Sequence, residues 1–452
     1  MRTSLILAAS FVVLSGSSAE LEVIVSPRVT LIEQKGITGG GRPVNSGNRV
    51  LNFFPDHPDD FGGTKGMASC VSEDGGLTWS KGLNNWPLPK MVAMWADELS
   101  NGNLLAFGIH WLPDPAKRRD PKPQIPPADA YQIGISQDGG RTWKLERATI
   151  DCPPEIGYIA RPLAHIVEQD DLLLMPAYTW SRRGNKVVLL QSEDGGRKWS
   201  VRSVITTAVA MIQAGARVST PWLESTVSPT TDGELLAFVR SGSTVKSKLV
   251  STRSSDGGKT WSPAKVLPFA GKLPTLRLLA NRVLTLTTAL GRNHCRVYLS
   301  ADGAGHAWSD SFIISSLTGG NVGVAITGKS NLLVSTPANG RIDAWHLRIN
   351  PPPPRTIDLK APSNLAMRKG ILSWKPVPEA AAYRITPVLI KPGKLYPDTE
   401  ILPYAIIQTR DATPRLAVRR QLLPGSTYAF ELQAVDARGH VSPEYRSQEV
   451  QF

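Results

Sequence analysis

Five aspartates recur in one local pattern: Asp74, Asp138, Asp194, Asp256 and Asp302, each two residues after a serine and followed by glycine. A carboxylate can act as acid, base or cation ligand, so repeated acidic positions first raise the question of catalysis. The surrounding residues give them another task. In Ser72-Glu73-Asp74-Gly75-Gly76-Leu77-Thr78-Trp79, the Asp can accept from backbone N–H groups just ahead, the glycines tolerate positive φ, and the Trp staples the next strand. Ser136 to Trp143, Ser192 to Trp199 and Ser254 to Trp261 repeat the pattern, while Ser300 to Trp308 is one residue longer and lacks the Thr. A side chain committed to its own turn is seldom free for a substrate, so these aspartates read as hairpin devices and not as catalytic groups.

The turns imply the elements they join. Successive box aspartates lie 64, 56, 62 and 46 residues apart, the span of one four-stranded propeller blade with variable loops. Between boxes, short apolar runs such as Leu104 to Gly108, Leu172 to Met175 and Leu235 to Val239 alternate with turn residues, and no long helical period appears. The expected fold class is all-β, with a radial β-propeller as its main body.

At 452 residues with 41% hydrophobic content, the chain can bury one large core and one small one. Residues 1–19 read as a secretory signal: Arg2 gives the positive start, Leu5 to Leu14 the apolar core, and Ser17-Ser18-Ala19 a small-residue cleavage site. No other segment approaches the ~20 apolar residues of a membrane span, so a secreted or periplasmic protein without a transmembrane segment is expected. The three cysteines, Cys70, Cys152 and Cys295, are scattered and odd in number, which leaves room for one bridge at most and gives no metal-ligand spacing. Neither a catalytic metal nor another cofactor is expected. The net charge of +13 is compatible with an acidic glycan or anionic surface as partner and equally with ordinary surface bias, since the basic residues are spread along the chain, and no nucleic-acid motif accompanies it.

Composition breaks at Asn350-Pro351-Pro352-Pro353-Pro354-Arg355, where prolines cannot sit inside a sheet and favour an extended spacer. The domain limits expected from this break are 1–19 for the signal, 20–349 for the propeller, 350–360 for the linker and 361–452 for a smaller unit. Within that last stretch, Leu372-Ser373-Trp374, Ala382-Tyr383-Arg384-Ile385 and Leu423-Pro424-Gly425-Ser426-Thr427-Tyr428 precede an alternating run to Asp436. They resemble a fibronectin type III domain, a small β-sandwich with a buried Trp and a Tyr corner. Its expected role is that of a spacer or a module binding the cell surface.

Five such boxes on this strand pattern resemble the sialidase (neuraminidase) superfamily of BNR-repeat proteins, and the resemblance implies a six-bladed propeller. It also implies a site. Three arginines clamp the substrate carboxylate through planar, charge-assisted pairs, an Asp acts as acid and base on the glycosidic oxygen, and a Tyr paired with a Glu is the nucleophile. Gly41-Arg42-Pro43, followed by Val50 to Phe54, resembles the family's Arg-Ile-Pro segment and gives Arg42 as the first arginine. Asp60, 12 residues before Ser72, stands where the family keeps its acid/base, with Asp59 as the alternative. Trp222 to Val227, followed by Asp232 to Arg240, resembles the Glu-bearing strand and second arginine and gives Glu224 and Arg240, 16 residues apart. Gly291-Arg292, eight residues before Ser300, resembles the third; Arg296 competes, since alternation on a strand lets both face the same side.

The departure lies at the nucleophile. Where the family places Tyr, this chain reads Thr318-Gly319-Gly320-Asn321-Val322, and Tyr131, Tyr158, Tyr178 and Tyr298 match no such slot. Three functions are compatible with these residues. In the first, an exported exo-glycosidase of terminal sialic or related acidic sugars uses Asp60 as acid, Arg42, Arg240 and Arg292 as clamp, and Glu224 to activate water directly or through Asn321. That would suggest inversion, or a substrate other than the usual sialosides. The second is an acidic-glycan-binding propeller without turnover, and the third a structural propeller. The first is favoured, because charges gathered at family-like spacings are costly in a scaffold unless paired or used.

Overall fold

The computed structural model describes residues 10–14, 21–26, 28–33, 41–55, 67–81, 93–111, 114, 117, 125–163, 165–181, 184–244, 246–290, 294–309, 311–315, 322–338, 340–350, 359–378, 380, 382–391, 407–409, 415–417, 425–435 and 442–451. Its apolar runs are strands buried along their whole length, as at Leu104–Ile109 and Leu235–Val239. Continuous rather than alternating hydrophobicity follows from sheets packed on both faces. Outer strands differ: Lys144–Asp151 buries only Ala148.

The strands form antiparallel sheets in chain order. Arg42–Ser46, Arg49–Pro55, Met67–Ser72 and Ser80–Lys81 make the first, and Ala93–Glu98, Leu104–Ile109, Tyr131–Ser136 and Lys144–Asp151 the second. Tyr158–Pro162, Leu172–Trp180, Lys186–Ser192 and Lys198–Thr207 make the third, with Val167–Gln169 on its flank; its outer strand pairs in parallel with Lys144–Asp151. Ser225–Pro229, Leu235–Val239, Lys248–Ser254 and Lys265–Ala270 follow, then Lys272–Leu278, Leu284–Leu290, His294–Ser300 and Phe312–Ser315. In the last, Gly323–Gly328, Asn331–Pro337 and Arg341–Asn350 are completed from the N-terminal side, because Leu21–Val25 and Val29–Glu33 both pair with Arg341–Asn350. Buried Asp343 fixes this closure, accepting from Thr30 Oγ1 at 2.9 Å and from Arg341 Nε at 2.9 Å. Ser10–Leu14, inside the stretch read as a signal, is a strand paired with Leu21–Val25.

The leading strands meet around a channel. Arg42–Ser46 contacts both Ala93–Glu98 and Gly323–Gly328, and Lys272–Leu278 contacts Ser225–Pro229 and Gly323–Gly328. These are edge strands, which is why Pro43, Pro162 and Pro274 are tolerated on them: each can turn its missing N–H away from the ladder. The result is a β-propeller, nearly all-β among the described residues apart from the short helix Ala208–Gln213, whose N-cap Thr207 accepts from the Ala210 N–H at 3.0 Å.

The aspartate boxes join the third and fourth strands of their sheets. Asp74 accepts from the Leu77 and Thr78 N–H groups at 3.0 and 2.9 Å and from the Thr78 hydroxyl at 2.6 Å. Trp79 Nε1 donates to the Gly76 carbonyl at 2.9 Å, and Trp143, Trp199 and Trp308 repeat this bond within their boxes. The second glycine does more than turn the chain. A β-carbon at Gly140 would lie 2.8 Å from Leu51 in the preceding sheet, and one at Gly258 would collide with Leu189, again one sheet earlier. Each box therefore presses against its neighbour's core, so the motif sets the spacing between sheets as well as the hairpin.

Beyond residue 358, Ser363–Arg368, Ile371–Lys375 and Arg415–Ala417 form one sheet, and Ala382–Lys391, Ile407–Thr409, Thr427–Val435, Tyr445–Arg446 and Val450–Gln451 another. They share a core of Leu372, Trp374, Tyr383, Ile385, Tyr428 and Phe430. Trp374 and Tyr383 pack edge-on with ring centroids 5.2 Å apart, and the Tyr383 hydroxyl accepts the Val377 N–H.

Candidate functional site

The channel holds a narrow cleft to which the leading strands contribute. Arg42 and Pro43, Trp95 and Ala96, Leu163 and His165, Ser225, Leu273 to Thr275, and Val322 to Val324 line it. Arg42 opens its strand and lies with its guanidinium carbon 5.5 Å from the centroid of the Trp95 ring. Arg161, from the third sheet, stands 5.6 Å from the same centroid. Trp95 is buried, and the negative face of its indole attracts both cations. A β-bulge between Ile159 and Arg161 sets the local direction of this second arginine, whose Nε is buried without a hydrogen-bond partner.

Glu224 and Arg240 are outside the lining itself but adjoin two of its residues, Ser225 and Leu273. Arg240 Nη1 donates to Glu224 Oε2 at 2.6 Å, and the same oxygen accepts the Leu273 N–H at 3.0 Å. Arg240 is otherwise tied to its own hairpin, through Nε to the Gly242 carbonyl at 3.0 Å and Nη2 to Ser243 Oγ at 2.5 Å. With side chains 13% and 9% exposed, the pair is substantially desolvated, which strengthens it and makes removal of either partner costly. Arg296, the competitor for the third arginine, is buried on His294–Ser300 and lines a different groove, with Phe269, Tyr298 and Trp308. Asp60, its alternative Asp59, Arg292 and Asn321 lie outside the described residues. The backbone just after Asn321 enters the cleft as Val322 and Gly323.

A second group of charges crosses the channel. Asp97 Oδ1 accepts from Arg277 Nη2 at 2.6 Å and lies 3.0 Å from His165 Nδ1, while Oδ2 accepts the Ile166 N–H at 2.8 Å. Arg277 Nη2 also contacts His165 Nδ1. Burial pushes the Asp97 carboxyl up and the Arg277 guanidinium down, and their ion pair opposes both shifts. Three sheets are thus linked by one carboxylate.

Among the described residues, no cysteine or tyrosine lines the cleft. Burial pushes the Cys70 thiol up to about 12 and Cys152 to about 11, so neither forms an appreciable thiolate near neutrality. Tyr131, Tyr158, Tyr178 and Tyr298 do not line the cleft.

Sequence reasoning missed Trp95, Arg161, Asp97, His165 and Arg277. One signal was present: Arg161-Pro162 repeats the Arg42-Pro43 pair, and a strand proline marks an edge. Nothing local marks Asp97, whose partners lie 68 and 180 residues away.

Residues 127–343 match the model of the BNR repeat-like domain family. No curated protein sequence matches the chain. Among solved structures, a protein of unknown function from Dyadobacter fermentans is 18% identical, with 72% of this chain and 98% of that one covered, at a TM-score of 0.53. A Hadza microbial sialidase is 14% identical over 69% of this chain and 66% of its own, at 0.51. An alpha-L-arabinanase from Penicillium chrysogenum is 14% identical over 71% of this chain and 97% of its own, at 0.48. At these identities the likeness is one of fold.

Proposed function

We propose, starting from a propeller whose residues 127–343 match the BNR repeat-like domain family and whose fold is similar to that of a sialidase, that the channel cleft hydrolyses a terminal acidic sugar from a glycan. The observation that supports this reading is a cleft lined by Arg42, whose guanidinium shares the Trp95 ring with Arg161, and by Leu273, whose N–H binds the carboxylate of the Glu224–Arg240 pair. Clustered guanidinium groups in a partly desolvated channel suit a carboxylate, and a carboxylate held at the wall suits a base.

In this proposal Asp60 gives its proton to the glycosidic oxygen as the bond to the anomeric carbon breaks. Glu224 takes a proton from water, directly or through Asn321, as the water oxygen bonds to that carbon. The free sugar and the glycan alcohol leave, and solvent returns the two carboxyl groups to their starting forms. Arg42, Arg240 and Arg292 hold the substrate carboxylate. Two carboxyl groups with water between them describe an inverting hydrolase.

The same reading makes the protein exported, with residues 1–19 removed, a six-bladed propeller over 20–349, and a fibronectin type III-like unit over 361–452 that holds it to a cell surface. A second reading has support of its own: Glu224 and Arg240 satisfy each other, which suits a propeller that binds acidic glycans without turnover. N-acetylneuraminic acid should raise the melting temperature of the protein in proportion to the logarithm of its concentration. An unmoved melting temperature at millimolar sugar would remove both readings and leave the structural one.

A further inference from the structure

We infer that His165 is a substrate-contacting residue, presenting an Nε2–H donor to the acidic sugar from the channel wall, with Asp97 and Arg277 as its positioning residues. The inference rests on the function proposed above. His165 lines the same cleft as Arg42, yet among the described residues its hydrogen-bonding contacts are at Nδ1 alone, with Asp97 and Arg277.

The neighbours decide where the proton sits. Arg277 Nη2 carries two hydrogens, one directed to Asp97 Oδ1 and one available to His165 Nδ1. A neutral ring protonated at Nδ1 would donate to Asp97 Oδ1, 3.0 Å away, but would set that N–H against the Arg277 Nη2–H. Accepting from Arg277 leaves the proton on Nε2, and a protonated imidazolium keeps it there too. Asp97 is itself anchored by the Ile166 N–H, one residue from His165, so two contacts tie the carboxylate to the segment that carries the ring.

This arrangement supplies what guanidinium groups alone do not. The arginines recognise charge broadly, whereas a single oriented N–H selects a ligand with an acceptor at one depth in the channel. Asp97 from Ala93–Glu98, Arg277 from Lys272–Leu278 and Arg42 across the cleft are the charged groups facing the ring.

The test uses the full chain labelled with 15N-histidine, the His165 signals being assigned by their loss in His165→Gln, with N-acetylneuraminic acid as probe. Two-bond proton–nitrogen spectra should show the Nε2–H tautomer, and the Nε2 resonance should move on adding the sugar. His165→Ala should weaken binding about tenfold, the equivalent of ~1.4 kcal/mol, and His165→Gln, which keeps an N–H donor, should recover part of it. Arg277→Lys, which retains the charge, should preserve the tautomer, whereas Arg277→Met, if folded, should release it to Nδ1–H. An Nδ1–H tautomer in the unaltered protein overturns the inference, as does sugar binding that raises the melting temperature while leaving His165 unmoved. Absence of any binding overturns the parent reading and this one with it.

Discussion

Arg240 reaches back 16 residues to donate to Glu224 at 2.6 Å, across the hairpin whose strands both carry buried side chains. The Leu273 N–H, from the next sheet, binds the same carboxylate oxygen, so one acidic group fixes the seam between two sheets at the cleft wall. Structure and chemistry coincide at this residue, and they can be separated by substitution. Glu224→Gln keeps an acceptor for Leu273 and should lower the melting temperature by only a few degrees while reducing turnover by at least ~10²-fold, the lower bound for loss of a positioned base. Arg240→Met leaves a buried carboxylate without its cation and should cost about 3–5 kcal/mol in chemical denaturation. Equal destabilisation by the two changes, with turnover intact in Glu224→Gln, would assign the pair to folding alone.

In the proposed reaction the stereochemical outcome rests on Asn321 standing where the family resemblance implies a Tyr. An amide forms no glycosyl intermediate there, so proton NMR of the first minutes of hydrolysis should show the anomer inverted relative to substrate. A retained first-formed anomer would require a nucleophile other than those considered for this cleft.

Trp95 is the shared platform of two arginines, at 5.5 and 5.6 Å. Trp95→Leu should loosen both and weaken sialic acid binding by ~10-fold or more, each cation–π contact being worth ~0.5–2 kcal/mol. Arg161→Ala should weaken binding with little change in melting temperature, because its Nε has no hydrogen-bond partner to lose. Isothermal titration calorimetry checks both, and unchanged affinity in Arg161→Ala would confine the clamp to other arginines.

The boxes predict an acid transition. A burial penalty at Asp138 is outweighed by hydrogen bonds from the Thr142 hydroxyl and N–H, the Ser136 hydroxyl and the Arg141 N–H, which bring its carboxyl from 3.8 to about 2. Asp256 is likewise held below the usual range, first by the Thr260 hydroxyl. A depressed folded value means stability fully present above the unfolded value and lost as pH falls through the folded one. Thermal stability should therefore decline between about pH 4 and pH 2, and Asp138→Asn should be less stable at neutral pH while losing less on acidification. A stability curve flat down to pH 2 would contradict the role given to the boxes.

The propeller was legible because its signal is local and repeated. Each box writes its hairpin within eight or nine residues, and the fully apolar middle strands announce sheets covered on both faces. The site was legible only in part. Glu224 and Arg240 face each other at the open end of one hairpin, so their spacing records their contact. Asp97, His165 and Arg277 come from three sheets and meet only when the ring closes, which no short-range pattern can encode. Arg161 falls between these cases: its Arg-Pro pair is visible in the chain, but its approach to Trp95 depends on a bulge.

The central claim is that this cleft turns over an acidic sugar, and hydrolysis of a fluorogenic sialoside by residues 20–452 tests it most directly. The account predicts steady fluorophore release by the unaltered protein and release at background level by Glu224→Gln. Background release by both, across sialosides and related acidic nonulosonic glycosides, would contradict it.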